Sequence, residues 1–184
     1  ASAAAPSSER PVSTICPKAR AEEQQRMAKE DAVSRFCAAA AELSIVVEPV
    51  RYPDGTRTAM AAAAAIGCEL SQIAKSLVCS GPDGAVLALT AGHNRLDLEK
   101  LSKIVGGHVR MATPEEARVA SGYAIGGTPP FAHPVPIPAW IDPALLAHEL
   151  VYAAAGAPDA CFPISSAKLQ QITGAKPLDF VVSR

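Results

Sequence analysis

Gln72-Ile73-Ala74-Lys75-Ser76-Leu77-Val78 is the segment on which the predicted fold depends, because its apolar residues predict a buried strand that nevertheless carries a lysine. Side chains alternate between the two faces of a strand, so Lys75 shares one face with Ile73 and Leu77. Lysine is seldom fully buried without a partner. Two interpretations follow: Lys75 reaches water from the end of its strand, or it is a cation at the floor of a pocket that meets an anionic or carbonyl-bearing ligand.

Other strands and helices intermix around this segment without a strict β-α-β rhythm. Apolar periodicity and turn residues predict further strands at 45–50, 85–90, 139–141, 149–154, 161–164 and 180–182. Helices are predicted at 21–43, 58–66, 97–105, 113–122, 143–147 and 165–173. The predicted fold class is therefore α+β, with α and β elements around a mixed sheet. We expect a single domain at 21–184 behind a disordered or loose leader at 1–20.

The composition permits a sizeable core and argues against a broad nucleic-acid surface. Of the 184 residues, 49% are hydrophobic and 19% are charged, and the net charge is −1. A protein that grips a long nucleic acid usually carries a basic excess, because phosphate contacts supply most of the affinity. A pocket that takes only the end of a nucleic acid is compatible with this charge. The sequence contains no run of about 18 apolar residues, so no membrane partner is expected.

Cysteine and histidine spacing predicts no metal site. The five cysteines form no Cys-x-x-Cys pair, and the four histidines show neither His-x-His nor His-Glu-x-x-His spacing. We therefore expect no metal and no cofactor. Cys161 is a conceivable thiol nucleophile, but its apolar neighbours Ala160 and Phe162 favour an inert core position. Asp142, which precedes Pro143, is predicted to cap a helix.

The segment 122–138 is the most unusual loop of the chain. It holds three glycines and five prolines, and His133 lies among them. Such a long, proline-fixed connection is either a rigid surface linker or a functional loop. Within it, the N–H groups of Gly126, Gly127 and Thr128 can approach a ligand closely and can stabilise a developing oxyanion.

Six segments of the chain form an ordered set. Each segment alone is a weak signal, but their order along the chain is specific for one protein family. They lie at 72–78, 94–101, 112–116, 122–133, 155–156 and 169–175. In that order they resemble the YbaK-like family of editing domains associated with prolyl-tRNA synthetase, over roughly residues 45–184. Lys75 matches the essential lysine of that family, and Gly126-Gly127-Thr128-Pro129-Pro130 matches its Gly-x-x-x-Pro loop.

The resemblance implies a YbaK-like fold, in which helices surround a mixed, barrel-like β-sheet. It implies a cytoplasmic enzyme that hydrolyses the ester joining a wrong amino acid to tRNA, typically tRNA(Pro) carrying Ala, Cys or Ser. The expected partners are the acceptor end of an aminoacyl-tRNA and prolyl-tRNA synthetase, in cis or in trans. The alternatives are a non-catalytic acceptor-end binding or regulatory module on the same fold, and an unrelated thiol hydrolase that uses Cys161.

The resemblance also assigns site residues. Lys75 and Gly126 are the expected catalytic residues, and Lys75 is expected to orient the terminal nucleotide or the substrate carbonyl. A water, helped by the terminal ribose hydroxyl of the tRNA, attacks the ester without a strong protein nucleophile. Relatives vary at the position of Ser76, which predicts an influence on the accepted amino acid. The expected substrate-binding residues are Ser76, Gly127, Thr128, Pro130, His133 and Gly156.

Overall fold

The computed structural model describes residues 17–52, 56 and 58–183 of the chain. Residues 1–16 of the predicted leader at 1–20 lie outside the described residues. From Pro17 onward the chain is helical, and this first helix continues to Glu42. The last residues of the predicted leader therefore belong to a helix, and the helix begins earlier than the predicted start at residue 21.

Six α-helices form in the described part of the chain, and capping residues set several of their ends. They are α1 (Pro17–Glu42), α2 (Ala59–Ile66), α3 (Leu98–Val105), α4 (Pro114–Ser121), α5 (Pro143–Leu146) and α6 (Ser166–Thr173). Thr58 caps α2, and Thr113 caps α4 through a complete capping box with Glu116. Gly67 and Gly122 follow the same two helices in the left-handed conformation, which glycine adopts at little cost.

Ten strands form in the same residues, and most of them belong to one mixed sheet. They are β1 (Val50–Arg51), β2 (Ile73–Gly81), β3 (Gly84–Ala91), β4 (Asn94–Leu96), β5 (Arg110–Met111), β6 (Ala139–Ile141), β7 (Leu150–Ala154), β8 (Ala160–Ser165), β9 (Lys176–Pro177) and β10 (Val181–Ser183). The sheet order is β1-β8-β7-β2-β3-β6-β9, with β5 added to β2, while β4 and β10 pair separately. β2 is antiparallel to β3 and parallel to β7. The predicted α+β class with a mixed sheet is confirmed.

The structure departs from the predicted elements mainly at short strands. The predicted strand at 45–50 is irregular except at Val50, which pairs with Cys161 of β8. Pro49 has no N–H to donate, which explains why pairing begins only after it. β4, β5 and β9 have two or three residues each, which is too short for a period-two pattern to appear in the sequence.

The main core joins α1 to the proline-rich loop at 122–138. Phe36 of α1, Phe131 of the loop and Phe162 of β8 form a triangle with ring centroids 5.1 to 5.8 Å apart. All three rings are buried. Aromatic contacts at these distances add to the free energy gained by burying the rings. The part of the loop around Phe131 is therefore embedded in the core, which a simple surface linker would not be.

The β2–β3 hairpin lies between two layers of apolar side chains. One of its faces, which includes Val78 and Leu89, contributes to the main core. The other face, which includes Cys79, packs against Leu101 of α3 in a second cluster. At the start of β2, Ile73 packs against α2 in a third cluster. Both faces of β2 are thus covered by other elements, so polar groups on this strand need partners inside the protein.

Candidate active site

A cavity opens where one edge of β2 lacks a neighbouring strand. β7 pairs with β2 at Ile73 and Ala74, and β5 pairs with it at Cys79 and Ser80. Between these pairings, the stretch 75–77 has no strand beside it on that edge within the described ranges. The cavity has a volume of about 240 Å³ and is lined by residues from both faces of β2.

Small and apolar side chains form most of the cavity wall. α2 contributes Ala59 and Ala62 beside Ile73, and Ala117 of α4 lies at the face of β2 that belongs to the main core. Met111 and Ile125 also line the cavity, and both are partly exposed to solvent. The small side chains leave room for a ligand, and Met111 and Ile125 provide apolar surface where the cavity meets solvent.

Lys75 is half-buried in the cavity wall and is held by the turn between β3 and β4. Its Nζ donates hydrogen bonds to the carbonyl oxygens of Gly92, at 3.2 Å, and of Asn94, at 2.5 Å. An ammonium group donates hydrogen bonds without accepting any, so carbonyl oxygens suit it well. The structure thus places a positive charge in the cavity wall and fixes it through backbone atoms.

A buried carboxylate supports the turn that holds Lys75. Asp142 Oδ2 accepts hydrogen bonds from Asn94 Nδ2, at 2.8 Å, and from the N–H of Ala91, at 3.1 Å. Its other oxygen, Oδ1, accepts from the N–H of Ala144 at 2.9 Å and caps α5, as the sequence predicts. A buried charge requires such partners, because desolvation without them costs free energy. The side chain therefore joins α5 to the β3–β4 turn.

Ser76 lines the cavity at the open edge of β2. Its Oγ is buried and has no hydrogen-bond partner among the described residues. The N–H of Ala112 donates to the carbonyl of Val78, which shows that Val78 points its backbone groups towards the β5 side. Alternate residues of a strand point to the same edge, so the N–H and C=O of Ser76 point there as well.

Gly126 and Thr128 bring the proline-rich loop to the cavity, and both line it. Gly126 has a φ of +85°, a backbone conformation that is strained for any residue with a side chain. Thr128 is buried, and its Oγ1 donates to the carbonyl of Ala124 at 3.3 Å. The N–H of Gly127 donates to the same carbonyl at 3.0 Å and is used within the loop. The N–H of Gly127 is therefore not available to a ligand, and Gly127 does not line the cavity as Gly126 and Thr128 do.

The remaining residues of the predicted site do not line the cavity: Gly127, Pro130, His133 and Gly156. His133 Nε2 lies 2.9 Å from the carbonyl oxygen of Pro129, inside the loop. Burial lowers the pKa of His133, and the hydrogen bond to Pro129 opposes this effect. Gly156 touches α1, since a Cβ there would lie 2.6 Å from the carbonyl oxygen of Ala32. His133 is thus bound within the loop, whereas Gly156 packs against α1.

Four polar or aromatic residues line the cavity although the sequence did not place them there: Thr56, Thr58, Tyr152 and Cys161. Thr56 Oγ1 donates to the carbonyl of Pro158 at 2.7 Å, and Cys161 Sγ lies 3.6 Å from the same hydroxyl. Burial raises the pKa of the Cys161 thiol, so the thiol stays protonated near neutral pH. Cys161 is buried, as its apolar neighbours predict, yet it also borders the cavity.

The chemistry available at the cavity comes from a lysine, hydroxyl groups and backbone amides. Within residues 17–52, 56 and 58–183, no three His, Cys, Asp or Glu side chains are grouped so that they could hold a metal ion. None of the described helices combines the length and the apolar character that crossing a bilayer requires.

The mixed sheet brings a half-buried lysine and two residues of the glycine- and proline-rich loop together at one cavity. The model of the aminoacyl-tRNA editing domain family matches residues 53–172, which include Lys75 and the whole 122–138 loop. This chain belongs to the aminoacyl-tRNA editing domain family, and the resemblance inferred from the ordered segments is confirmed.

Relatives of known sequence or structure agree with this membership. A solved protein described as a "putative trans-editing enzyme for prolyl tRNA synthetase" is 44% identical, with a TM-score of 0.79 over 83% of this chain and 98% of that chain. The uncharacterized protein YwhH of Bacillus subtilis is 29% identical over 126 residues, which cover 68% of this chain and 80% of YwhH. EbsC of Enterococcus faecalis, a "putative Cys-tRNA(Pro)/Cys-tRNA(Cys) deacylase", is 28% identical over 63% of this chain and 77% of EbsC. The YbaK-like editing fold is confirmed.

Proposed function

We propose that this protein hydrolyses the ester bond between a wrong amino acid and tRNA, a proofreading step of translation. One observation carries the proposal: Lys75 and the loop residues Gly126 and Thr128 line the same cavity at the open edge of β2. A cation and backbone amides beside a small cavity are suited to stabilise negative charge on an ester carbonyl. The family membership and the deacylase description of EbsC support the same reaction.

The proposed reaction depends on positioning, because an aminoacyl ester is already activated and needs no strong nucleophile. Water adds to the ester carbonyl carbon, the bond to the ribose oxygen breaks, and a proton passes to that oxygen. Lys75 orients the terminal nucleotide or the carbonyl, while the N–H groups of Gly126 and Thr128 hold the aminoacyl end. The ribose hydroxyl next to the ester assists the water. Orientation and fixed charges together lower the barrier.

The proposed substrate is tRNA(Pro) that carries a small amino acid such as Ala, Cys or Ser. The cavity volume of about 240 Å³ and the alanine-rich sequence of α2 support a small side chain. A net charge of −1 supports recognition of the acceptor end alone. The similarity to a protein described as acting with prolyl-tRNA synthetase supports that enzyme as a partner, in cis or in trans, in the cytoplasm.

A deacylation assay tests the proposal. The substrates are tRNA(Pro) charged with Ala, Cys, Ser or Pro, and the proteins are the wild type and Lys75→Ala. We expect the wild type to release at least one of the first three amino acids and to spare Pro. Lys75→Ala should fold, as shown by circular dichroism, and should lose about 100- to 1,000-fold in kcat, the range for removing one group that stabilises the transition state.

Two other results would lead to different conclusions. Full activity in a folded Lys75→Ala protein would exclude the role assigned to the lysine. No turnover of any charged tRNA, combined with measurable binding of acceptor ends, would favour a non-catalytic binding or regulatory module on the same fold.

A further inference from the structure

We propose that Asp142 is a positioning residue for Lys75 and that it acts through the turn between β3 and β4. The inference rests on the proposed function, because it concerns the lysine to which ester hydrolysis is assigned. Asp142 does not line the cavity, so it influences the reaction only through the groups that it holds.

The orientation of Lys75 depends on the turn. A lysine side chain is long and flexible, and fixing it costs conformational entropy. The carbonyl oxygens of Gly92 and Asn94 accept hydrogen bonds from its Nζ and select one orientation of the side chain. A shift of these carbonyls therefore shifts the cation that the substrate meets.

Asp142 fixes the turn from inside the protein. Its Oδ2 accepts hydrogen bonds from Asn94 Nδ2 and from the N–H of Ala91. Asn94 is 4% exposed and Asp142 is 2% exposed, so water does not compete for these bonds. Hydrogen bonds to an ionised acceptor are roughly twice as strong as those between neutral groups. Asn94 thus connects the two sites: its side chain binds Asp142 and its carbonyl binds Lys75.

Capping of α5 does not account for this arrangement. The cap uses only Oδ1, which accepts from the N–H of Ala144. Asp97 shows the simpler case, because its Oδ1 accepts from the N–H groups of Glu99 and Lys100 in its own helix α3. In Asp142 the second oxygen reaches across to β3 and β4 instead. This additional connection is what a positioning role requires and a cap does not.

The turn is also confined from the opposite side. A Cβ on Gly92 would lie 2.2 Å from the carbonyl oxygen of Leu70, so the backbone of the turn is in direct contact with the segment before β2. The turn therefore has no room to move towards Leu70. Asp142, which lies between β6 and α5, limits the movement of the turn on the other side.

The test compares Asp142→Asn and Asn94→Ala with the wild type in the deacylation assay. Asparagine keeps one side-chain oxygen, so position 142 can no longer accept hydrogen bonds from both the cap and the turn. We expect kcat to fall about 10- to 100-fold, the range typical of residues that orient a functional group, while KM changes by less than about threefold. Asp97→Asn is the matched control, since it makes the same change in a cap that does not touch the turn, and it should keep kcat within about twofold of the wild type.

Two further measurements separate positioning from general damage. The double variant Asp142→Asn/Asn94→Ala should lose no more activity than the less active of the two single variants, because both changes break the same connection. Lys75 should be acylated faster by an amine-selective reagent in Asp142→Asn than in the wild type or in Asp97→Asn, as measured by mass spectrometry. A merely structural role of Asp142 would not change the labelling of this one lysine in a folded protein.

The outcomes for the inference and for the proposed function are distinguishable. If the wild type hydrolyses no charged tRNA, the proposed function fails, while selective labelling of Lys75 in Asp142→Asn still supports its positioning by Asp142. If a folded Asp142→Asn keeps the kcat and the labelling rate of the wild type, the inference is overturned. If Asp142→Asn does not fold, Asn94→Ala decides by the same two readouts, because it leaves the cap of α5 intact.

Discussion

Gly127 and Ala157 touch backbone to backbone, since a Cβ on Gly127 would lie 2.7 Å from the Cα of Ala157. Beside this contact, the N–H of Gly156 donates to the carbonyl of Gly127 at 2.9 Å. The proline-rich loop is therefore fastened to the turn between β7 and β8. Because Gly126 and Thr128 flank Gly127, this contact sets where they meet the cavity.

Gly127→Ala should damage both stability and activity. The added methyl group would overlap backbone atoms of Ala157, which cannot move aside as a side chain can. We expect the free energy of unfolding to fall by about 1–3 kcal/mol, as in other overpacked sites. The rate of deacylation should fall by about 100-fold, because a displacement of about 1 Å in a positioning loop is enough for such a loss. Chemical denaturation and the deacylation assay measure the two effects.

Gly174→Ala is the control for this substitution. Gly174, unlike Gly127, has a left-handed conformation, with φ of +60°, and a Cβ there would meet nothing within 4 Å. Only backbone strain remains, which costs about 1 kcal/mol, and deacylation should be unchanged. Equal behaviour of the two variants would show that the contact with Ala157 does not position the loop.

Ser76→Ala should change substrate preference without a loss of stability. The Ser76 hydroxyl is buried and lacks a hydrogen-bond partner among the described residues, so its removal relieves a desolvation cost. We expect the free energy of unfolding to stay the same or to rise by up to about 1 kcal/mol. Because Ser76 lines the cavity, the relative kcat/KM values for Ala-, Cys- and Ser-tRNA(Pro) should change by up to about 100-fold.

Ser121→Ala provides the matched comparison. The Ser121 hydroxyl is equally buried, but it donates to the carbonyl of Ala117 at 2.7 Å and accepts from the N–H of Tyr123 at 3.1 Å. Its removal leaves those groups unpaired and should cost about 1–3 kcal/mol. A loss of similar size in Ser76→Ala would mean that the Ser76 hydroxyl has a partner in the folded protein.

The long elements of the fold could be predicted from the sequence because their physical signals are local. The strands β2 and β3 alternate or run apolar over eight or nine residues, and the caps Thr58 and Thr113 stand directly before their helices. The three-residue strand β6 lies where the sequence predicts it, and β10 overlaps its predicted range. The strands β4, β5 and β9 could not be predicted, because two or three residues do not establish a period. Their positions follow from pairing with β2, β6 and β10, which is a tertiary effect.

The candidate site was only partly predictable for a related reason. Lys75 is conspicuous because a charged residue interrupts an apolar strand. The groups that hold it are backbone carbonyls of Gly92 and Asn94, and any residue type supplies a carbonyl. Cys161 reaches the cavity because β8 pairs with both β1 and β7, and no local pattern records that pairing.

Cys161→Ser should retain deacylation, because the thiol is not suited to act as a nucleophile. Burial raises its pKa above the ordinary cysteine value, while the hydrogen bond with Thr56 has a smaller opposite effect. The thiolate is the reactive form, so a raised pKa leaves less of it at neutral pH than in an exposed cysteine. In the native protein, alkylation of Cys161 at pH 7 should be slower than in the urea-unfolded protein, as mass spectrometry can show. Loss of hydrolysis in a folded Cys161→Ser protein would instead support a thiol hydrolase.

Acid should weaken the fold partly through His133. Its pKa is lowered in the folded protein, mainly by burial, so the unfolded chain binds a proton more readily than the native state does. The stabilisation that the neutral ring provides is complete above the unfolded pKa of about 6.5 and is lost as the pH falls from there towards the folded pKa. His133→Gln removes this titration. The stability advantage of the wild type over His133→Gln should therefore be constant from pH 7.5 to 8.5 and should shrink between pH 7 and 5, as urea denaturation at each pH measures. A difference that stays constant down to pH 5 would show that His133 titrates alike in both states.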